Sequence, residues 1–326
     1  MTPPESSPNR DDASRILTEV FGAAVDELER FPTGLAHYVY AARLAGGRRV
    51  VVRLTRRDQA GEFAGALYWY ERLKPLDIPL PELLYEDIAG NRHGFPVMLM
   101  ERLPGTDLGH VYPALSDNQK RYIAAWVVDL QRRTATLPPG PGYGYAHAYD
   151  DPALLPTWRA VLLGSLDRSR RRIASAGVVD TGVVDRVESL LAGFDGYLRK
   201  IGPVPFLHDT TTKNVLIDDH GSGAPSASGI VDVDSICFGD PLFTPSLTRM
   251  ALLAHGHDTA YVDHWERHLN LSAEQRRASL LYTAIHCAAF LSELGQPFNN
   301  EAAPPVDTEY HGHLLGVLDE LLKAIG

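Results

Sequence analysis

The hydrophobic period of this chain changes once, and the change falls at Pro104-Gly105. Upstream, short apolar runs are punctuated by turn residues. Val39 to Leu44, Gly46-Gly47 and Arg49 to Leu54 read as strand, turn and strand, and Val50-Val51-Val52 is a β-branched run of the kind buried in a sheet. Residues 16–31 and 59–74 have helical spacing. Pro79 and Pro81 stop the second of these before another hairpin, Leu83 to Glu86 and Phe95 to Met100, which turns at Ala89-Gly90-Asn91. Downstream the spacing is helical over 116–136, 151–176, 181–200 and 245–325. Strands first and helices afterwards predict an α+β chain on a bilobal plan. Residues 1–15 are expected to form a disordered lead. An antiparallel sheet lobe with one main helix follows over 16–100, a linker over 101–105, and a larger, mostly helical lobe over 106–326. Ligands favour the cleft of such a plan.

One β-rich island interrupts the helical half. Residues 215–218 and 229–233 read as short strands, joined by a loop of small residues over 221–228. The stretch before the first of them is His208-Asp209-Thr210-Thr211-Thr212-Lys213-Asn214. Asp209 and Asn214 are five apart on a loop, and Asp232 ends the returning strand, so the hairpin brings Asp232 beside Asn214. Two carboxylates and one carboxamide at a cleft suit a hard cation, and Mg²⁺ takes one or two carboxylates plus substrate phosphates rather than a full protein cage. With Asn214 and Asp232 on the metal, Asp209 is left to accept a proton from an attacking hydroxyl. That is the division of labour in kinase-type phosphoryl transfer. The plainer alternative is a polar loop with Asp209 capping a turn and Asn214 bonded to backbone. It leaves Asp232 unexplained.

These motifs resemble the aminoglycoside phosphotransferase family, the small-molecule branch of the protein-kinase-like fold that includes macrolide phosphotransferases and choline-kinase-like enzymes. The resemblance covers about residues 30–320. The family's catalytic loop, His-Gly-Asp-x4-Asn before an apolar strand, is matched by His208-Asp209 through Asn214-Val-Leu-Ile without the glycine, so Leu207 takes the usual His position. Its Ile-Asp-Trp-Glu segment corresponds to Val231-Asp232-Val233-Asp234, and its Gly-Asp-Pro stands intact as Gly239-Asp240-Pro241. The resemblance implies a bilobal protein-kinase-like fold and a small-molecule O-phosphotransferase using Mg²⁺ and ATP or GTP. Arg53 replaces the family's phosphate-binding lysine, an exchange that keeps the charge and adds a planar fork. Its expected helical partner is Glu62, with Glu71 as the fallback. Gly34 would lie in the phosphate-covering loop, and main-chain groups of Glu101 and Leu103 would face adenine. The implied acceptors are aminoglycosides or macrolides. A choline, sugar or homoserine kinase of the same fold is the alternative, and a nucleotide-binding pseudoenzyme is another, resting on the missing glycine and on Arg53.

Composition narrows the partners. The net charge is −10, with 31 Lys+Arg against 41 Asp+Glu, which argues against a protein that grips nucleic acid through its phosphates. Residues 1–200 carry 25 basic and 25 acidic side chains, and residues 201–326 carry 6 and 16, so the whole excess sits in the last two-fifths. Solubility accounts for that excess, and so does a cationic acceptor held by Glu293, Glu301, Asp307 and Glu309. Cys237 and Cys287 lie in apolar surroundings and form no metal-ligand pattern. His264 and His268 have a metal-capable spacing without a third ligand in frame. Neither a signal peptide nor an 18-residue apolar span is present, so the expected setting is cytoplasmic, away from membranes.

Overall fold

In the computed structural model, residues 7–31, 37–218, 226–297 and 305–326 are described. The first element is α1 (Arg10–Phe21), which begins inside the segment 1–15 expected to be a disordered lead. Asn9 accepts from the Asp11 and Asp12 amides, and Asp12 bonds back to the Asn9 N–H, a reciprocal cap that starts the helix. Ala13, Ile16 and Leu17 on its inner face are fully buried. Residues 25–30, whose spacing suggests the end of a helix, instead form β1 (Val25–Arg30). It pairs with β2 (Tyr38–Leu44), which pairs with β3 (Arg49–Leu54). Then come α2 (Ala60–Leu73), β4 (Leu83–Asp87) and β5 (Val97–Glu101), giving an antiparallel sheet of order β1-β2-β3-β5-β4.

Strand period decides what each face of this sheet covers. Val50, Val52 and Leu54 pack with Ala13, Ile16 and Leu17 of α1. Arg53 projects to the opposite face, where its guanidinium lies 5.3 Å from the Phe63 ring of α2. Met98, its cross-strand partner, packs with Phe63 and Ala66 there.

The second lobe begins with β6 (Thr106–Asp107), α3 (Leu108–Val111) and α4 (Asp117–Thr134), then β7 (Gly144–Ala146), α5 (Trp158–Ala176), α6 (Gly182–Glu188) and α7 (Asp195–Leu198). Helix α5 starts at Trp158 rather than at 151, capped by Thr157 after Pro156. Next come β8 (Val204–Phe206), β9 (Val215–Asp218), β10 (Ser226–Ile230), β11 (Ile236–Gly239), α8 (Phe243–Ala254), α9 (Ala260–Leu269), α10 (Ala273–Glu293) and α11 (Thr308–Ile325). The β-rich island is two small sheets, β10-β9-β6 and β7-β11-β8. The second of these is not visible in the sequence, because three- and four-residue strands are too short to show a period. Gly105 joins the lobes at φ +96°, and a Cβ there would sit 2.1 Å from the Ile217 carbonyl, so only glycine lets the linker lie on β9. Among the described residues no helix is long and apolar enough to cross a membrane.

Candidate active site

The catalytic-loop candidate runs from β8 to β9 and is pinned at its first residue. Gln131 of α4 donates from Nε2 to the Leu207 carbonyl at 2.8 Å and to Thr210 Oγ1 at 2.9 Å, while its Oε1 accepts the Leu207 N–H at 3.0 Å. Thr244 Oγ1 donates to the same carbonyl at 3.0 Å. Leu207, standing where the family's pattern has His, is thus buried and anchored through its backbone. His208 turns its ring edgewise to Tyr145, centroids 4.7 Å apart, and burial lowers its pKa.

Beyond this anchor the loop closes on itself. Asn214 Nδ2 donates to the Asp209 carbonyl at 2.9 Å, the Asn214 N–H to the Thr211 carbonyl at 3.0 Å, and Thr211 Oγ1 to Asp209 Oδ1 at 3.1 Å. One Asp209 carboxylate oxygen is left without a protein partner among the described residues, as a proton acceptor requires. The amide nitrogen of Asn214 is spent inward, so its Oδ1 is the atom left for a cation. The Val231 N–H donates to the Asn214 carbonyl at 3.0 Å, which sets the segment carrying Asp232 directly against the loop.

Asp232 lies past the end of β10, at φ +63°, a left-handed conformation uncommon outside glycine. The strand expected to reach 233 ends at Ile230, and the bend re-aims the carboxylate. The surrounding protein raises the Asp232 pKa, the Asp234 and Asp209 charges add to the rise, and Arg53 opposes it. The side chain still keeps 53% of its surface open. With that access, a cation on the open side would offset the penalty.

Arg53 is 6% exposed and meets both carboxylates of this segment. Nη1 donates to Asp234 Oδ1 at 2.7 Å, and Nη2 donates to Asp234 Oδ2 at 2.5 Å and to Asp232 Oδ1 at 3.1 Å. Burial works against the Asp234 charge, but Arg53 and a bond from His37 outweigh it and hold the carboxyl below the usual carboxylate range. Glu62 does not pair with Arg53. Its Oε2 lies 3.0 Å from His37 Nε2, which also lies 3.3 Å from Asp234 Oδ2. The fork of Arg53 fits both oxygens of Asp234, whereas Glu62, in the first turn of α2, is 36% exposed and faces His37. The fallback Glu71 is exposed and pairs with Arg72. His37, Glu62 and Asp234 bring one ligand atom each within 4.8 Å of one another, the one such group among the described residues, yet both Asp234 oxygens already accept from Arg53.

The remaining expected site residues fall out as follows. Glu101 ends β5 and its N–H donates to the Glu82 carbonyl at 2.8 Å. Leu103 is half-buried against Gly229, where a Cβ would meet its Cδ1 at 2.5 Å. Gly34 and Glu301 lie outside the described residues. Glu293 ends α10. The surrounding protein raises its pKa, and the charges of Arg172 and the catalytic-loop Lys213 work against that rise. Asp307 is the N-cap of α11, accepting from the Glu309 and Tyr310 amides at 3.0 Å, and Glu309 is exposed in the first turn. Asp240 is buried and accepts from the Tyr197 and Tyr282 hydroxyls at 2.6 and 2.9 Å and from the Leu242 amide at 3.1 Å, so it braces the start of α8. His264 bonds Asp117 at 2.7 Å. Sequence reasoning assigns no role to Asp234, His37 or Gln131. Asp234 had a signal, because it stands at the Glu of the Ile-Asp-Trp-Glu pattern.

A family model for the phosphotransferase enzyme family, APH, matches residues 27–281. The chain belongs to this family. It is a kinase-type phosphotransferase, and the matched span runs from β1 through the loop between β8 and β9 into α10. No curated protein matches the chain. Solved structures share the fold at low identity. A thermostable mutant of aminoglycoside phosphotransferase APH(4)-Ia, in ternary complex with AMP-PNP and hygromycin B, is 17% identical, with 95% of this chain and 97% of that one covered at a TM-score of 0.66. Macrolide 2'-phosphotransferase type I is 15% identical, with 96% and 98% covered at 0.61. A putative fructosamine-3-kinase from Thermobifida fusca is also 15% identical, with 97% and 99% covered at 0.61. The bilobal kinase-like architecture expected from the resemblance is therefore this chain's own.

Proposed function

We propose that this phosphotransferase moves the γ-phosphoryl group of ATP or GTP, with Mg²⁺, to a hydroxyl of a small molecule, an aminoglycoside or macrolide antibiotic first among them. The observation that carries the reading is that Asn214 bonds the Asp209 carbonyl, the segment carrying Asp232 is bonded against that loop, and the buried Arg53 meets Asp232 directly. Asp209 takes the proton from the acceptor hydroxyl as its oxygen bonds to phosphorus, and the bond from phosphorus to the nucleoside diphosphate breaks. The chain's own contribution is positioning and charge. Arg53 faces the phosphates, and the Oδ1 of Asn214 with the open side of Asp232 fit a magnesium ion, whose chemistry would be to neutralise phosphate charge.

A sugar or amino-alcohol metabolite is the second reading for the acceptor. Glu293, one of four carboxylates expected to hold a cationic acceptor, already feels the positive charges of Arg172 and Lys213. A screen of phosphate transfer from ATP and GTP to aminoglycosides, macrolides and small amino-alcohols distinguishes the two. Asp209→Ala is expected to lower turnover about a hundredfold or more, and Asp232→Ala to abolish it. Turnover retained in Asp209→Ala would remove the proposed base.

A further inference from the structure

An arginine that is to hold phosphate oxygens must itself be held, because its side chain is long and its charge is costly to bury. From α2 only the Phe63 ring touches the Arg53 guanidinium, 5.3 Å away, and among the described residues no hydrogen bond or ion pair from that helix holds it. Both oxygens of Asp234 do, in a bidentate pair at 2.7 and 2.5 Å, with the carboxylate only 17% exposed. Asp234 is fixed in turn from two sides. Its carbonyl lies 3.1 Å from His147 Nδ1, next to β7, and the same carbonyl would be 2.6 Å from a Cβ placed on Gly65 of α2. Its carboxylate lies 3.3 Å from His37, whose ring nitrogen bridges to Glu62 at 3.0 Å. The order of contacts is Glu62, His37, Asp234, Arg53. The Glu62 carboxylate reaches the arginine only through two intermediaries.

We propose that Asp234 is the positioning residue of the phosphate clamp. It, and not Glu62, aims Arg53 at the nucleotide. This rests on the nucleotide-dependent reading given under the proposed function, and it adds where the aim comes from. A guanidinium has five N–H donors. Three are used on Asp234 and Asp232, which leaves the Nε donor and one on Nη1 for phosphate oxygens. Asp232 and Asp234 share one three-residue segment, so the metal ligand and the anchor of the phosphate-facing cation move as a unit. Arrival of nucleotide at one would be felt at the other without any movement of α2.

The test is equilibrium titration of the full chain with ATP and with GTP in magnesium buffer, on variants whose melting curves show them folded. Asp234→Asn is expected to weaken nucleotide binding tenfold or more, and Asp234→Glu, which keeps the charge, to recover part of that loss. Paired variants identify the partner. Arg53→Ala combined with Asp234→Asn should bind within twofold of Arg53→Ala alone, because the second change removes nothing further. Arg53→Ala combined with Glu62→Gln should show the product of the two separate losses. A structural defect at Asp234 would not produce that asymmetry. Wild-type-like binding by Asp234→Asn, or coupling of Arg53 to Glu62 and not to Asp234, overturns the proposal alone. Failure of the wild-type chain to bind either nucleotide overturns the nucleotide reading, and this proposal with it.

Discussion

Gln131 spends its whole carboxamide on the candidate catalytic loop, from 76 residues away in sequence. The group is buried and both its ends are used, so exchanging it for an apolar side chain of similar size strands the Leu207 N–H without a partner. A buried unpaired donor costs about 1–3 kcal/mol. Gln131→Leu is therefore expected to lower the unfolding free energy in urea by about 2 kcal/mol, and to lower turnover as the loop loses its anchor. A change under about 0.5 kcal/mol would show that Thr244 holds the loop alone. This residue also marks the limit of what was legible. That Asp209, Asn214 and the Asp232 segment lie side by side could be read, because a five-residue spacing and a hairpin are local facts. Gln131, His37 and Asp234 act through contacts across 76 to 197 positions, which only packing brings together. Arg53 was expected to pair with Glu62, whereas its fork meets Asp234. Its register on β3 was visible, but the reach of its fork was not.

At the level of elements, α10 crosses α8 through a histidine that the active site does not use. His286 Nε2 lies 3.1 Å from the Phe243 carbonyl and its ring centroid 4.2 Å from the Phe243 ring. Burial pushes its pKa down to about 3. The unfolded chain, near 6.5, therefore binds the proton that the folded chain refuses between those two values. Stability falls as pH drops from 6.5 towards 3, by about 2 kcal/mol at pH 5 from this group alone. Chemical denaturation at pH 7 and pH 5 should show that loss in the wild type, reduced by a similar amount in His286→Gln. Equal pH dependence in the two proteins would assign the acid sensitivity to other groups. The elements themselves were legible wherever they were long. The sheet of the first lobe and the helices from α8 to α11 follow from their periods, although Gly256 and Asn270, both at positive φ, break the run read as continuous over 245–325. Residues 25–30 misled because Val25 and Leu28 are three apart, a helical spacing, while five backbone pairings with β2 make them a strand.

The lobes of the whole molecule meet where α2 rests on the segment that carries the acidic pair. Trp69 Nε1 donates to the Ala146 carbonyl at 2.7 Å, and Arg133 Nη1 to the Leu76 carbonyl at 3.1 Å. The acidic excess of the last two-fifths is partly used at this junction, because Asp232 and Asp234 answer a cation from the other lobe. A close approach is at Gly65, where a Cβ would stand 2.5 Å from His147 Nδ1 and 2.6 Å from the Asp234 carbonyl oxygen. The imidazole can swing aside only by giving up its contact with the Asp234 carbonyl. The carbonyl has no such freedom, since it belongs to the backbone between Asp232 and the rest of the site. Gly65→Ala must therefore displace either α2 or the 232–234 segment by several tenths of an ångström, and with it the pairing of Arg53. The expected result is a loss of turnover of tenfold or more with a stability cost of about 1–3 kcal/mol. Gly61→Ala on the same helix, where nothing lies within 4 Å of the added Cβ, is the control. It should leave turnover unchanged and raise stability by up to about 1 kcal/mol, as alanine does in place of glycine within a helix. If the two variants behave alike in turnover, the contact between α2 and the Asp234 backbone does not set the geometry of the clamp.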